Sequence, residues 1–144
     1  MILLDTSILV YAVGDDHTLR VPCRSLVASV LDGVVRAATT VEVIQEFAHV
    51  RAHRRPRHDA ATRARQFAIG LGPLVKPDDD DLAEALDLFE SMPRLGAFDA
   101  VLAATVRRRG WALASADSAF RKVDGVAYLD PARRSFIDDV NRLG

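Results

Sequence analysis

Four acidic residues are spaced so that they could share one site: Asp5 in Asp5-Thr6-Ser7, Glu46, Asp99 and Asp117. Asp5 ends the unbroken apolar run Ile2-Leu3-Leu4, which suits a strand buried on both faces of a parallel sheet. In open α/β sheets the crevice outside the strand carboxyl ends is where ligands bind. Asp5 could equally cap a helix starting near Ser7. Glu46 sits mid-way along a helical stretch, with Glu42 one turn earlier as the second choice. Asp99 follows Phe98 at a helix start. Asp117 follows a strand and two small residues, Ser115 and Ala116. At either place an acid also gains about 0.3 to 1 kcal/mol from the helix dipole. Two carboxylates about 4 Å apart repel by roughly 4 kcal/mol at an effective dielectric near 20, so a convergent set must take up protons or bind a cation. Oxygen ligands without cysteine or convergent histidine favour Mg²⁺ or Mn²⁺ over zinc. Such an ion activates water and stabilises in-line attack at phosphorus, so phosphodiester hydrolysis is the expected chemistry.

The elements that must position these acids are read from periodicity. Ser7–Val13 suits a short helix, and Pro22 suits the first turn of the next, where Leu26, Val27, Val30 and Leu31 recur at helical spacing. Asp32 and Gly33 stop it. Val34–Ala38 is β-prone, and Thr39 or Thr40 can cap the helix that carries Glu46. In that helix Glu42, Glu46, His49 and His53 form one stripe, opposite Val43, Ile44, Phe47 and Val50. Further helices are expected over Ala60–Ile69, Asp81–Met92 (with Leu82, Ala85, Leu86 and Phe89 on one face) and Phe98–Arg109. Leu74–Lys76, Trp111–Ala114 and Val126–Leu129 read as strands, with a short helix at Ser118–Val123. Alternating strands and helices predict one α/β domain with a mainly parallel central sheet. After Asp130-Pro131, the residues Phe136, Ile137, Val140 and Leu143 predict an amphipathic helix over Ser135–Leu143. It would pack on the domain or on a partner chain.

At 144 residues, the chain is the size of one domain able to bury a core without staples. A single cysteine, Cys23, leaves no intramolecular disulfide and no thiolate-rich zinc site, and fits a reducing, cytoplasmic compartment. No apolar run is long enough to span a bilayer, and Asp5 interrupts the apolar N-terminus, which argues against a secretory signal. A net charge of −1 carries no information about partners, but the local distribution does. Arg51, Arg54, Arg55, Arg57, Arg63 and Arg65 cluster with only Asp59 opposing them. Arg51, Arg54, Arg55 and Arg57 are therefore expected to track an RNA backbone beside the acidic site.

The segments ILLDTS, VIQEFAHV, FDAVLAA, ASADSAF and YLDP, in that order, resemble the PIN-domain ribonucleases. The match is closest to the VapC-type toxins of bacterial type II toxin–antitoxin pairs and covers essentially Met1–Pro131. The resemblance implies a PIN-like three-layer sandwich and an endoribonuclease that uses Mg²⁺ or Mn²⁺. It makes Asp5, Glu46, Asp99 and Asp117 the acidic quartet, with Thr6, Ser7 and Ser115 as hydroxyl neighbours. It also implies an RNA substrate, a homodimer, and a small antitoxin whose C-terminal segment blocks the cleft. Residues 1–131 then form the nuclease domain, and residues 132–144 are a helical extension beyond the family's usual ending.

Other signals have plainer explanations. His49 and His53 lie at i, i+4 after Glu46, but a di-iron bundle needs a second Glu-x-x-His and zinc needs three or four ligands. A solvated or RNA-facing stripe is expected instead. Asp78–Asp81 complements a helix N-terminus, and Arg107, Arg108 and Arg109 a helix C-terminus. A metal-dependent phosphatase with Asp5 as nucleophile would want an acid where Ser7 stands. A receiver-like module would want a lysine near Trp111–Ala114. A non-catalytic RNA- or protein-binding domain is the remaining alternative.

Overall fold

A computed structural model describes all residues, Met1–Gly144. Four strands, β1 (Ile2–Leu4), β2 (Ala37–Ala38), β3 (Ala112–Ala114) and β4 (Ala127–Leu129), form one parallel sheet in the order β2-β1-β3-β4. Seven helices flank it: α1 (Thr6–Val13), α2 (Arg20–Leu31), α3 (Val41–Ala52), α4 (Arg57–Gly70), α5 (Asp79–Ser91), α6 (Ala97–Arg109) and α7 (Phe136–Leu143). The expected α/β sandwich is the observed one. Every residue of β1 and β3 is buried, as a strand covered on both faces must be. The chain runs from β1 to β2 in one direction, then crosses back over β1 to β3 and β4. The β1/β3 seam is therefore the topological switch point.

Several elements differ from expectation. Leu74–Lys76 contributes one parallel bridge, Thr40 to Val75, with Val75 N donating to Thr39 O at 2.9 Å. Pro73 and Pro77 bound this segment and lack the N–H groups that would extend a ladder. Helix α4 begins at Arg57 rather than Ala60, with Pro56 at its N-cap. Helix α5 starts two residues early because Asp78 and Asp81 form a reciprocal capping box.

Of the apolar face expected on α5, Ala85 is buried as expected and the other three residues point outward. Leu82, Leu86 and Phe89 are each about half exposed, and the helix packs on α6 through Asp81, Ala85 and Leu88 instead. Charge explains the rotation. Asp81 is fully buried, accepts from Arg109 Nη1 at 2.8 Å and forms an ion pair with Arg108, whose Nε lies 3.0 Å away. Arg107 Nε donates to Glu84 Oε1 at 2.6 Å, and Arg108 Nη2 to Asp80 Oδ2 at 3.0 Å. The three arginines thus pair mainly with α5. Only Arg109 also donates to a carbonyl of its own helix, Thr105 O.

Helix α7 packs on its own domain, against α2 and β4, with Phe136 and Val140 buried. The N-terminal ammonium donates to Leu143 O at 3.1 Å and ties the two ends together. Cys23 is buried, and burial pushes its thiol up to about 12, so it has little thiolate character. No helix is long and apolar enough to cross a membrane.

Candidate active site at the switch point of the sheet

The register of the β1/β3 pair builds the site. Leu4 pairs with Ala114, so the next residues, Asp5 and Ser115, leave the sheet side by side. Asp5 N donates to Ala114 O at 3.0 Å, and Ser115 Oγ donates to Asp5 Oδ2 at 2.6 Å. Asp5 is also the N-cap of α1, in extended geometry, and accepts from Thr6 N at 2.6 Å and Ser7 N at 3.4 Å. Capping and placement at the crevice are therefore one arrangement, not alternatives. Ser7 Oγ adds a donor to Asp5 Oδ2 at 2.6 Å and accepts from Ala116 N at 2.9 Å. Ser115 Oγ in turn accepts from Asp117 N at 3.0 Å. Both hydroxyls thus direct their protons at Asp5 and their lone pairs at the loop that carries Asp117. Asp5 is 6% exposed, and each buried carboxylate oxygen has donors of the kind burial demands.

The other acids come from three more elements. Thr40 caps α3, its side chain accepting from Val43 N at 3.2 Å, and so fixes the helix that presents Glu46. Thr6 Oγ1 donates to Glu46 Oε2 at 2.5 Å and joins α1 to α3. Asp99 stands in the first turn of α6, and Asp117 caps the 3₁₀ turn Ser118–Lys122 by accepting from Ala119 N at 2.8 Å.

The Asp99 carboxyl is pushed up to about 6, by burial first and then by the charges of Asp5, Asp117 and Glu46. Thr6 thus ties Glu46 to the corner that Asp5 occupies, and Ser115 ties the Asp117 loop to the same corner. Glu42 shares a groove with Glu46 and Asp99.

No three acidic or histidine side chains close into a ready cage. The donors on each acid are local: Ser7 and Ser115 on Asp5, Thr6 on Glu46 and the Ala119 amide on Asp117. All-oxygen ligands are the type a hard cation such as Mg²⁺ takes, and it retains several waters and needs only one or two carboxylates.

Residues 2–126 match the PIN domain family. The chain belongs to that family. Ribonuclease VapC7 of Mycobacterium tuberculosis is 48% identical over 133 residues, spanning 91% of this chain and 92% of that protein. Ribonuclease VapC23 of the same species is 35% identical over 112 residues, or 76% of this chain and 86% of that one. VapBC2 from Rickettsia felis, solved bound to a promoter DNA fragment, superposes with a TM-score of 0.70 at 15% identity. That match covers 90% of this chain and 98% of the solved one, and it shows the shared fold.

In this PIN domain the basic segment does not form the continuous patch expected. Arg51 is turned inward, its side chain 14% exposed, donating to Asp59 Oδ2 at 2.6 Å and reaching Val13 O. Arg55 pairs with Asp15 at 2.8 Å. Both hold the end of α3 against the end of α1. Arg54 and Arg57 are exposed and form no ion pair. Arg57 lines a groove with Gln45, His49 and His53 along the outer side of α3. The His49 and His53 rings meet edge to face at 4.6 Å, and His53 Nδ1 lies 2.8 Å from His49 O. That is a helix-surface contact, not a metal site. Phe98, next to Asp99 in the chain, is 76% exposed and lines the groove that holds Glu46 and Asp99.

Proposed function

We propose that this chain is a Mg²⁺- or Mn²⁺-dependent endoribonuclease acting in the cytoplasm as the toxin of a toxin–antitoxin pair. The observation that supports the reading is that Asp5 and Ser115 leave the β1/β3 switch point bonded to each other, with Glu46 tied to α1 through Thr6 and Asp99 sharing a groove with Glu46. Repulsion within such a set favours cation uptake. The ion would be held by Asp5, Glu46, Asp99 and Asp117, and would supply activated water and charge neutralisation at phosphorus. The chain's own part is orientation. Ser7 and Ser115 fix Asp5, Thr6 fixes Glu46, and the Ala119 amide fixes Asp117. Gly96 keeps side chains away from Asp99, because a Cβ there would lie 2.9 Å from Asp99 Oδ2. A phosphatase using Asp5 as nucleophile fits less well, since two serine hydroxyls already occupy its Oδ2.

The names of the VapC relatives and the VapBC2 assembly support an RNA substrate and an antitoxin partner. The outward stripe of Leu82, Leu86 and Phe89 supports a protein–protein contact, through a second copy or the antitoxin. The test is cleavage of structured and single-stranded RNA by the purified chain with Mg²⁺ or Mn²⁺. Chelator should abolish cleavage, and Asp99→Asn should slow it by at least about 100-fold, the scale of losing one preorganised charged group. Full activity in either case refutes the reading.

A further inference from the structure

Two grooves meet at Phe98. One runs toward α5 past Leu82 and Val101 and contains Glu46 and Asp99. The other runs along α3 and contains Glu42, Gln45, Glu46 and His49. Gln45 and His49 also line the groove that continues to His53 and Arg57. The Phe98 ring thus stands between the acidic rim and a polar channel that ends in an unpaired arginine. Phe98 is the most exposed aromatic residue among the large exposed hydrophobics, with 76% of its surface in water. Here it lies in one groove with Glu46 and Asp99, two of the acids that would hold the ion.

Resting on the nuclease reading, we infer that Phe98 is the stacking platform for one unpaired base of single-stranded RNA next to the cleaved phosphodiester. Gln45 and His49 face the base edge, and the strand continues along α3 toward Arg57. Stacking fits the ring because every base has a π-face, whereas a hydrophobic contact alone would not use the amide and imidazole beside it. The exposed guanidinium at the end of the channel suits a backbone phosphate. Phe98 is a positioning and selectivity residue in this scheme, while the acids keep the chemistry.

The experiment measures anisotropy of a fluorescein-labelled single-stranded ribonucleotide of six to eight bases binding to the full chain, with Ca²⁺ replacing Mg²⁺. Each base in turn is replaced by an abasic residue. One abasic position should weaken binding to the wild type by about 5- to 150-fold, the range for one base–aromatic stack. In Phe98→Ala that position should lose its special penalty, and Phe98→Trp should restore it. Equal affinity of Phe98→Ala and wild type, an unchanged abasic pattern in Phe98→Ala, or no RNA binding at all overturns the inference. So does loss of self-association or antitoxin binding in Phe98→Ala with RNA affinity intact, which would assign the ring to a protein partner. A wild-type chain that shows the pattern but cleaves no RNA with Mg²⁺ keeps the stacking site and removes the nuclease reading.

Discussion

Asp99→Asn should make the metal-free protein more stable while it destroys function, and the size of the gain follows from the crowding of charge. The Asp99 carboxyl rises from 3.8 to about 6. At 1.36 kcal/mol per pKa unit, a rise of about two units bounds the penalty of the charged form at about 3 kcal/mol. The group is only half-buried, so solvent screening reduces this to about 1 to 1.5 kcal/mol. A raised acid pKa means the native state binds the proton more readily than the unfolded chain. The penalty is therefore absent below about pH 4 and complete above about pH 6. Asparagine never carries it. In chelator at pH 7.5, Asp99→Asn should unfold about 2 to 6 °C above wild type, a gap that falls to about half by pH 5 and closes near pH 4. Saturating Mg²⁺ should reverse the order, because binding at 100 times Kd adds about 2.7 kcal/mol to the wild type. Differential scanning calorimetry across pH, with and without Mg²⁺, reads all of this. A variant no more stable than wild type in chelator, or a gap that ignores pH, would mean that the acids do not repel one another at Asp99.

Two further substitutions separate architecture from chemistry. Gly96 has φ −65° and ψ 156°, a conformation any residue adopts, yet an added Cβ would meet Asp99 Oδ2 at 2.9 Å. Gly96→Ala should therefore fold normally, with a midpoint in urea close to wild type, and cleave RNA about 10- to 100-fold more slowly through misplacement of one carboxylate. Asp81→Ala removes the buried partner of Arg108 and Arg109. Urea denaturation should show a loss of about 1 to 3 kcal/mol, the scale of a lost capping residue and of hydrogen bonds to a charged group, since the two arginines left behind reach solvent, while the folded fraction keeps its cleavage rate.

What the sequence reveals follows from which forces are local. The strand Ile2–Leu4 and the acid that ends it are legible because an unbroken apolar run of three followed by Asp-Thr-Ser has few structural meanings. Asp5, Asp99 and Asp117 stood out as candidates because they sit at element ends, where the carboxyl ends of parallel strands and the starts of their helices gather at one edge; Glu46, mid-helix, stood out only through the polar stripe of its helix. The face of α5 was not legible. Leu82, Leu86 and Phe89 satisfy helical periodicity perfectly well, but periodicity cannot count a buried ion pair whose partners lie on another helix. Arg51 and Arg55 failed for the same reason: proximity in sequence suggested one patch, while Asp59 and Asp15 drew two of its members into structural pairs.

Phe98 and the α5 stripe share a consequence. Both are apolar surfaces that intramolecular packing leaves uncovered, and they adjoin, since Leu82 and Phe98 line one groove. On the proposed toxin function, a protein silenced by a partner and active without it has reason to place a protein-binding surface against a nucleic-acid-binding one. A chain covering Leu82 would then approach Phe98 and exclude the base from its platform without touching an acid. Inhibition by an antitoxin would in that case act first on RNA binding. Blocking the stripe with Leu86→Glu should weaken partner binding and leave RNA affinity unchanged, because Leu86 is half exposed and does not line the groove that holds Glu46, Phe98 and Asp99.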